Sequence, residues 1–226
     1  MLNSISENIK KISFKLEEAR IKYNRENDNI RIMAVTKTVS PDRINHAVEQ
    51  GLNLLGENRV QEYLDKKSSY LPTAEVHFIG HLQSNKVKYI INSVKMIHSV
   101  DSIKLAEEIN RLAASHRLTM DILAEVNIGG ETSKSGLPPE QILDFAYNIA
   151  EFDNLRLCGL MTIPPPDNPE HYFEKMFRLY DDLRSERINN TAISILSMGM
   201  SSDYIEAIKH GSNIVRIGSG IFGARN

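Results

Sequence analysis

The chain has 226 residues, of which 41% are hydrophobic and 25% are charged, and its formal net charge is -2. This composition predicts a globular, soluble protein with a sizeable core and excludes a disordered or fibrous chain. The near-neutral charge provides no broad basic field, so we expect no binding to nucleic acid.

Cysteine content and the N-terminal segment indicate the compartment. Cys158 is the only cysteine, so neither an intramolecular disulfide nor a metal framework is expected. The first 27 residues are charged throughout, unlike a signal peptide, and no apolar run is long enough to span a bilayer. We therefore expect a cytoplasmic protein without membrane contact. Because no extra interface element is evident, we expect a monomer.

The first two predicted elements are a helix and a strand. The N-terminal segment has an apolar stripe at helical spacing, formed by Ile5, Ile9, Ile12, Leu16 and Ala19. Residues 31–37 form a short β-rich run that ends at Lys37. Ser40 followed by Pro41 predicts the start of the next helix, and Gly51 predicts its end.

The alternation of strand and helix then repeats along the chain. Seven further strands are predicted at 52–56, 76–80, 95–100, 120–127, 155–161, 193–199 and 213–218. Helices are predicted to begin near Glu57, Asn85, Asp101, Pro138, Pro169, Ser201 and Gly218. Eight short apolar strands, each followed by a helix, predict an α/β fold: a single (β/α)8 TIM barrel spanning residues 1–226 as one domain, with an additional N-terminal helix.

An open doubly wound sheet is the alternative fold. Its usual glycine-rich turn after the first strand is absent, because that turn reads TKTVSP. In the barrel, functional side chains collect at the carboxyl ends of the strands. That edge would carry Lys37, Glu57, Asn58 and His81.

Lys37 has two interpretations. It either leaves the strand and points into solvent, or it serves as a nucleophilic amine in a desolvated barrel mouth. In water only about four lysine amines in ten thousand are neutral at pH 7, and desolvation raises that fraction. A neutral amine forms Schiff bases with aldehydes.

Two glycine- and serine-rich turns near the C-terminus predict an anion site. They are SMGMSSD at 197–203, with Ser201, and RIGSGIFG at 216–223, with Gly218 and Ser219. They follow the seventh and eighth strands, where such barrels often bind phosphate. A phosphorylated aldehyde would satisfy both these turns and Lys37, and pyridoxal 5'-phosphate is the obvious candidate.

Seven segments together resemble a known family over nearly the whole chain: AVTKTVS, GENRVQE, HFIGHLQSNK, VNIGGETSKSG, GLMTIPPP, SMGMSSDYIEAI and VRIGSGIFGAR. The sequence resembles the pyridoxal phosphate homeostasis proteins, which share the barrel fold of the alanine racemase N-terminal domain and bind pyridoxal phosphate. The resemblance implies that Lys37 holds the cofactor as a Schiff base. It also implies that Ser201, Gly218 and Ser219 surround the phosphate.

The resemblance further implies that Arg216 faces the pyridine nitrogen of the cofactor. A guanidinium only donates hydrogen bonds, so it would keep that nitrogen unprotonated and weaken the cofactor as an electron sink. Asn58 and His81 match positions that would contact the ring or its hydroxyl. For His81 the alternative is a hydrogen-bonded structural histidine.

The resemblance implies a protein of intracellular vitamin B6 homeostasis, without catalysis or metal, whose partners include pyridoxal-phosphate-dependent apoenzymes. Racemisation needs a base on each face of the substrate, and alanine racemase takes the second from a further C-terminal domain that we expect this chain to lack. A pyridoxal-phosphate-dependent amino-acid racemase is the first alternative. A barrel that binds another phosphorylated metabolite without a covalent bond is the second.

Overall fold

A computed structural model describes residues 2–223. Eight parallel strands close into a barrel in the order β1 to β8. Their bounds are β1 Arg31–Val35, β2 Leu54–Glu57, β3 Glu75–Phe78, β4 Met96–Val100, β5 Met120–Val126, β6 Leu155–Thr162, β7 Thr191–Ser197 and β8 Ile214–Ile217. The predicted TIM barrel is confirmed, and the open sheet is excluded because β1 pairs with β8.

Helices surround the barrel as predicted, although their lengths vary. They are α1 Leu2–Lys22, α2 Pro41–Glu49, α3 Val60–Lys66, α4 Ile103–Ser115, α5 Ile142–Ala150, α6 Pro169–Ser185, α7 Tyr204–Lys209 and α8 Ser219–Phe222. The connection from β3 to β4 contains a 3-10 segment, Ser84–Tyr89, where a regular helix was predicted. The additional helix α1 buries its predicted apolar stripe and contacts α2, α7 and α8.

Several helices begin a few residues after their predicted starts, among them those predicted near Asp101 and Ser201. Asp101 was expected to cap α4, but Ser102 occupies the N-cap and its Oγ accepts from the Leu105 N–H at 3.4 Å. A helix was expected to begin near Ser201, but α7 begins after Asp203. The Asp203 carboxylate accepts from the Met200 N–H at 2.6 Å and forms a turn before the helix.

The strands separate two apolar layers, because successive side chains point to opposite faces of the barrel wall. The larger layer packs between strands and helices. The barrel interior is filled by two smaller clusters, Met33, Leu54, Ile79 and Ile214, and Met96, Leu123, Cys158 and Met161. Cys158 is buried, and burial raises the pKa of its thiol to about 11.

A glycine permits the close approach of β6 and β7. Gly159 has a φ of 150°, and a Cβ atom placed on it would lie 1.8 Å from the Ile195 carbonyl oxygen. Any larger residue would therefore push the two strands apart. Among residues 2–223, no helix is long and apolar enough to cross a membrane. The same residues include no group of three or more histidine, cysteine or acidic side chains arranged to hold a metal ion.

Candidate functional site

A cavity of about 290 Å³ opens at the carboxyl ends of the strands. It is lined by Val35, Lys37, Asn58, Ile79, Ile163, Met200, Ser201, Ser202, Arg216, Gly218 and Ser219. Six of the seven predicted site residues are in this lining. Parallel strands explain the convergence, because all their carboxyl ends meet at one mouth of the barrel. The binding roles of these residues stay predictions.

His81 is the predicted site residue that the structure does not bring to the cavity. Its side chain is 62% exposed, and its Nδ1 lies 3.6 Å from the Asp101 carboxylate. The proposed contact between His81 and a ligand ring therefore has no support from the shape of the cavity.

The segment that carries Lys37 is held in an unusual backbone conformation. Thr38 has a φ of 62°, in the left-handed region that a β-branched residue rarely adopts. The Thr38 N–H donates to Glu62 Oε1 at 2.5 Å. Lys66 Nζ donates to the carbonyl oxygens of Thr36 at 3.0 Å and Val39 at 3.2 Å. Glu62 and Lys66 of α3 thus fix the chain on both sides of Lys37.

Glu57 does not line the mouth as the sequence suggested. It is fully buried on the outer side of β2, where its Oε1 accepts from the Thr36 hydroxyl at 2.6 Å and from the Tyr70 hydroxyl. Its Oε2 is buried without a hydrogen-bond partner. Burial raises the pKa of the Glu57 carboxyl, and hydrogen bonds from Thr36 and Tyr70 oppose that rise.

The raised pKa of Glu57 predicts a pH dependence of stability. Because the pKa of Glu57 in the folded state exceeds the ordinary value of 4.5, protonation of this carboxyl favours the folded state. This contribution to the free energy of unfolding is complete below pH 4.5 and is lost as pH rises through the folded-state pKa. We expect Glu57→Gln, which imitates the protonated carboxyl, to gain stability relative to the wild type as pH is raised from 4.5. Urea unfolding across the pH range measures this. The exposed Glu107→Gln is the control, and a pH-independent difference for Glu57→Gln would contradict the prediction.

The two C-terminal turns contact each other directly. The Ser201 Oγ accepts from the Gly220 N–H at 3.1 Å. A Cβ atom on Gly220 would lie 3.4 Å from that oxygen and 2.9 Å from Ile217. The absence of a side chain therefore lets the turn after β8 approach the turn after β7. Ser201, Ser202 and Ser219 are all among the residues that line the cavity.

Arg216 supplies the permanent positive charge of the cavity wall. The residue is 3% exposed. One terminal nitrogen donates to the Ser197 carbonyl at 2.7 Å and to the Ser197 hydroxyl at 2.8 Å, and the other donates to the Thr162 carbonyl at 2.7 Å. Burial lowers the pKa of Arg216 to about 10, so the guanidinium stays charged at neutral pH.

Sequence reasoning missed the apolar part of the lining. Three members are Val35, Ile79 and Ile163. The signal was present in the strand period, because Val35 lies two residues before Lys37 and therefore on the same face of the wall. Met200 also reaches the cavity, whereas Met161 and Met198, near the ends of neighbouring strands, are buried in the apolar layers.

Comparisons with known proteins agree with the geometry. The family model of the alanine racemase N-terminal domain matches residues 3–226. The pyridoxal phosphate homeostasis protein of Aquifex aeolicus is 40% identical over 224 residues, which cover 97% of each chain.

Two solved structures have the same fold over nearly their whole length. A protein of Bifidobacterium adolescentis superposes with a TM-score of 0.92 at 34% identity, covering 98% of this chain and 95% of that one. PipY of Synechococcus elongatus PCC7942, solved with PLP bound, has a TM-score of 0.85 at 27% identity, covering 97% of this chain and 100% of its own. The resemblance seen in the sequence is thereby confirmed, and the chain belongs to the pyridoxal phosphate homeostasis protein family, with the barrel of the alanine racemase N-terminal domain.

Proposed function

We propose that this chain binds pyridoxal 5'-phosphate in the cavity at the carboxyl ends of the strands and holds it covalently through Lys37. The observation that carries the proposal is that an amine, several hydroxyls and a guanidinium line one small cavity. Membership of the family and the PLP-bound PipY structure support the same ligand.

The side chains present fit the functional groups of this cofactor. Lys37 would take the aldehyde, while Ser201, Ser219 and the backbone of Gly218 would take the phosphate. Arg216 would donate to the ring nitrogen, and Asn58 would lie beside the ring. When bound, pyridoxal phosphate supplies an electron-accepting ring. Arg216 cannot accept a hydrogen bond, so it would pair only with an unprotonated ring nitrogen, and that keeps the electron-accepting capacity of the ring low.

We further propose that the protein holds the cofactor and does not turn over a substrate. Racemisation would need a second base opposite Lys37. Within the described residues, the cavity lining includes no tyrosine, histidine or carboxylate. In this proposal one barrel domain stores the cofactor in the cytoplasm and releases it to pyridoxal-phosphate-dependent apoenzymes. The alternatives are an amino-acid racemase and non-covalent binding of another phosphorylated metabolite.

Chemical trapping tests the proposed binding. Mixing the protein with pyridoxal phosphate should produce visible absorption, and borohydride reduction should fix the cofactor on the peptide that contains Lys37. Pyridoxal without phosphate should label weakly, because it lacks the group that Ser201 and Ser219 would hold. Labelling at another lysine, or equal labelling by pyridoxal, would reject the proposed site.

Two assays separate holding from conversion. Incubation of the loaded protein with L- and D-amino acids should give no turnover above that of free cofactor, and robust turnover that requires Lys37 would establish the racemase alternative. Transfer to a pyridoxal-phosphate-dependent apoenzyme should persist when a trap removes free cofactor. Complete inhibition by the trap would show that the protein releases cofactor into solution without direct delivery.

A further inference from the structure

A continuous line of hydrogen-bonded polar side chains runs through the apolar barrel interior. From the cavity downward, Arg216 donates to the Ser197 Oγ at 2.8 Å, and that oxygen lies 3.2 Å from His98 Nδ1. His98 Nε2 lies 2.9 Å from His77 Nδ1, and His77 Nε2 lies 2.9 Å from Glu75 Oε1. The line therefore connects the cavity to the amino end of β3, at the opposite mouth of the barrel.

The two ends of this line fix the direction of every hydrogen bond in it. Arg216 only donates, so the Ser197 oxygen accepts from it and the hydroxyl hydrogen remains available to donate to another group. At the other end Glu75 is ionised, because hydrogen bonds from His77 and Arg31 lower the pKa of its carboxyl to about 2. Glu75 therefore only accepts, and His77 must carry its hydrogen on Nε2.

Each histidine in the middle then has one possible neutral tautomer. His77 Nδ1 has no hydrogen, so His98 donates to it from Nε2. His98 Nδ1 in turn accepts from Ser197. Both rings are nearly inaccessible, His98 at 0% and His77 at 2% exposure. Burial lowers the pKa of both imidazoles, which keeps them neutral. All four hydrogen bonds consequently run in one direction, from Arg216 to Glu75.

We infer that His98 and His77 are positioning residues for the cofactor site, because their line of hydrogen bonds holds Ser197, and through it Arg216, in one orientation. This inference rests on the proposed function, in which Arg216 faces the ring nitrogen. The backbone carbonyls of Ser197 and Thr162 also hold the guanidinium. The Ser197 hydroxyl is its one side-chain acceptor, and the histidines set the orientation of that hydroxyl. Outer partners of this kind orient the group that touches the ligand.

The tautomers are measurable without any substitution. NMR of protein labelled with ¹⁵N-histidine should show His77 and His98 with a protonated Nε2 and an unprotonated Nδ1, both neutral around pH 7. A protonated Nδ1 on either ring, or a doubly protonated ring, would overturn the inferred direction. This measurement does not require bound cofactor. It therefore tests the direction of the hydrogen bonds even if the wild type fails to bind pyridoxal phosphate and the proposed function is rejected.

Substitution of His98 tests the positioning role. His98→Leu removes both hydrogen bonds and should weaken pyridoxal phosphate binding about fivefold, the effect of losing one ordinary hydrogen bond. It should also shift the pH at which the visible band of the bound cofactor titrates, while borohydride still labels Lys37. His98→Gln, which keeps an acceptor and a donor, should recover most of the affinity and the wild-type titration.

Met96→Leu is the matched control, because Met96 lies two residues before His98 in β4 and packs in the apolar interior. If it weakens binding as much as His98→Leu, packing explains the effect and the positioning role is rejected. Wild-type affinity and spectrum in a folded His98→Leu variant would reject it equally. Should that variant not fold, Ser197→Ala breaks the same line with a smaller change, and the same shift is expected.

Discussion

Replacing Lys66 with methionine should lower the free energy of unfolding by about 3–5 kcal/mol, the usual cost of leaving a buried ion pair without one partner. Lys66 Nζ lies 2.6 Å from Glu62 and 3.9 Å from the fully buried Glu57. It also donates to two carbonyl oxygens beside Lys37. Methionine fills similar volume, so the loss would come from these polar contacts.

The same variant should also loosen the Lys37 segment, because it removes the two hydrogen bonds from Lys66 to carbonyl oxygens on either side of the strained Thr38. Urea unfolding measures the loss of stability, and faster amide hydrogen exchange at residues 36–39 measures the loosening. Lys67→Met is the matched control, since Lys67 is the next residue and is exposed. It should change stability by less than about 0.5 kcal/mol. Equal effects at the two positions would contradict this account of Lys66.

Replacing Lys37 with alanine should abolish borohydride-stable attachment of pyridoxal phosphate and weaken its binding about a hundredfold, or about 2.7 kcal/mol. Residual affinity should remain, because Ser201, Ser219 and Arg216 still line the cavity. Inorganic phosphate should compete for that residual binding. The measurement is equilibrium dialysis together with mass spectrometry of the reduced protein.

Lys104→Ala controls for the removal of a positive charge, because Lys104 lies exposed on α4. It should retain both attachment and affinity. Retention of covalent attachment in Lys37→Ala would place the reactive amine elsewhere and reject the proposed role of Lys37. Complete loss of binding would instead mean that the covalent bond supplies nearly all of the affinity.

The fold and the polar residues of the cavity were largely predictable, because short-range patterns locate the strand ends and the family resemblance identifies Arg216. Apolar strands with short connections specify the barrel, and the barrel brings strand ends together. Closure of β1 on β8 aligns Met33 with Arg216, which brings distant segments to one mouth. The sequence therefore predicts that Lys37, Ser201 and Ser219 lie together, although Ser201 follows Lys37 by 164 positions.

The buried polar contacts were not predictable, because they depend on pairs that local spacing does not reveal. Glu57 and Asn58 are adjacent at the end of β2, yet one faces the helices and the other the cavity. His77 and His98 lie within strands that read as apolar, and their contact joins positions 21 residues apart. The period of a strand indicates the face of each residue and leaves its partner unspecified.

Cys158 provides a natural chemical probe of how often the barrel wall opens. A thiol with a pKa of about 11 is almost entirely protonated at neutral pH, and Cys158 is only 5% exposed. Since thiolate is the reactive form, a sulfhydryl reagent should modify native protein slowly, at a rate set by transient separation of the strands. As Cys158 is the only cysteine in the sequence, the modification rate measures transient opening of the barrel wall without any engineered label. Comparing this modification rate with and without ligand would show whether a ligand in the cavity slows the opening of the strands around Cys158.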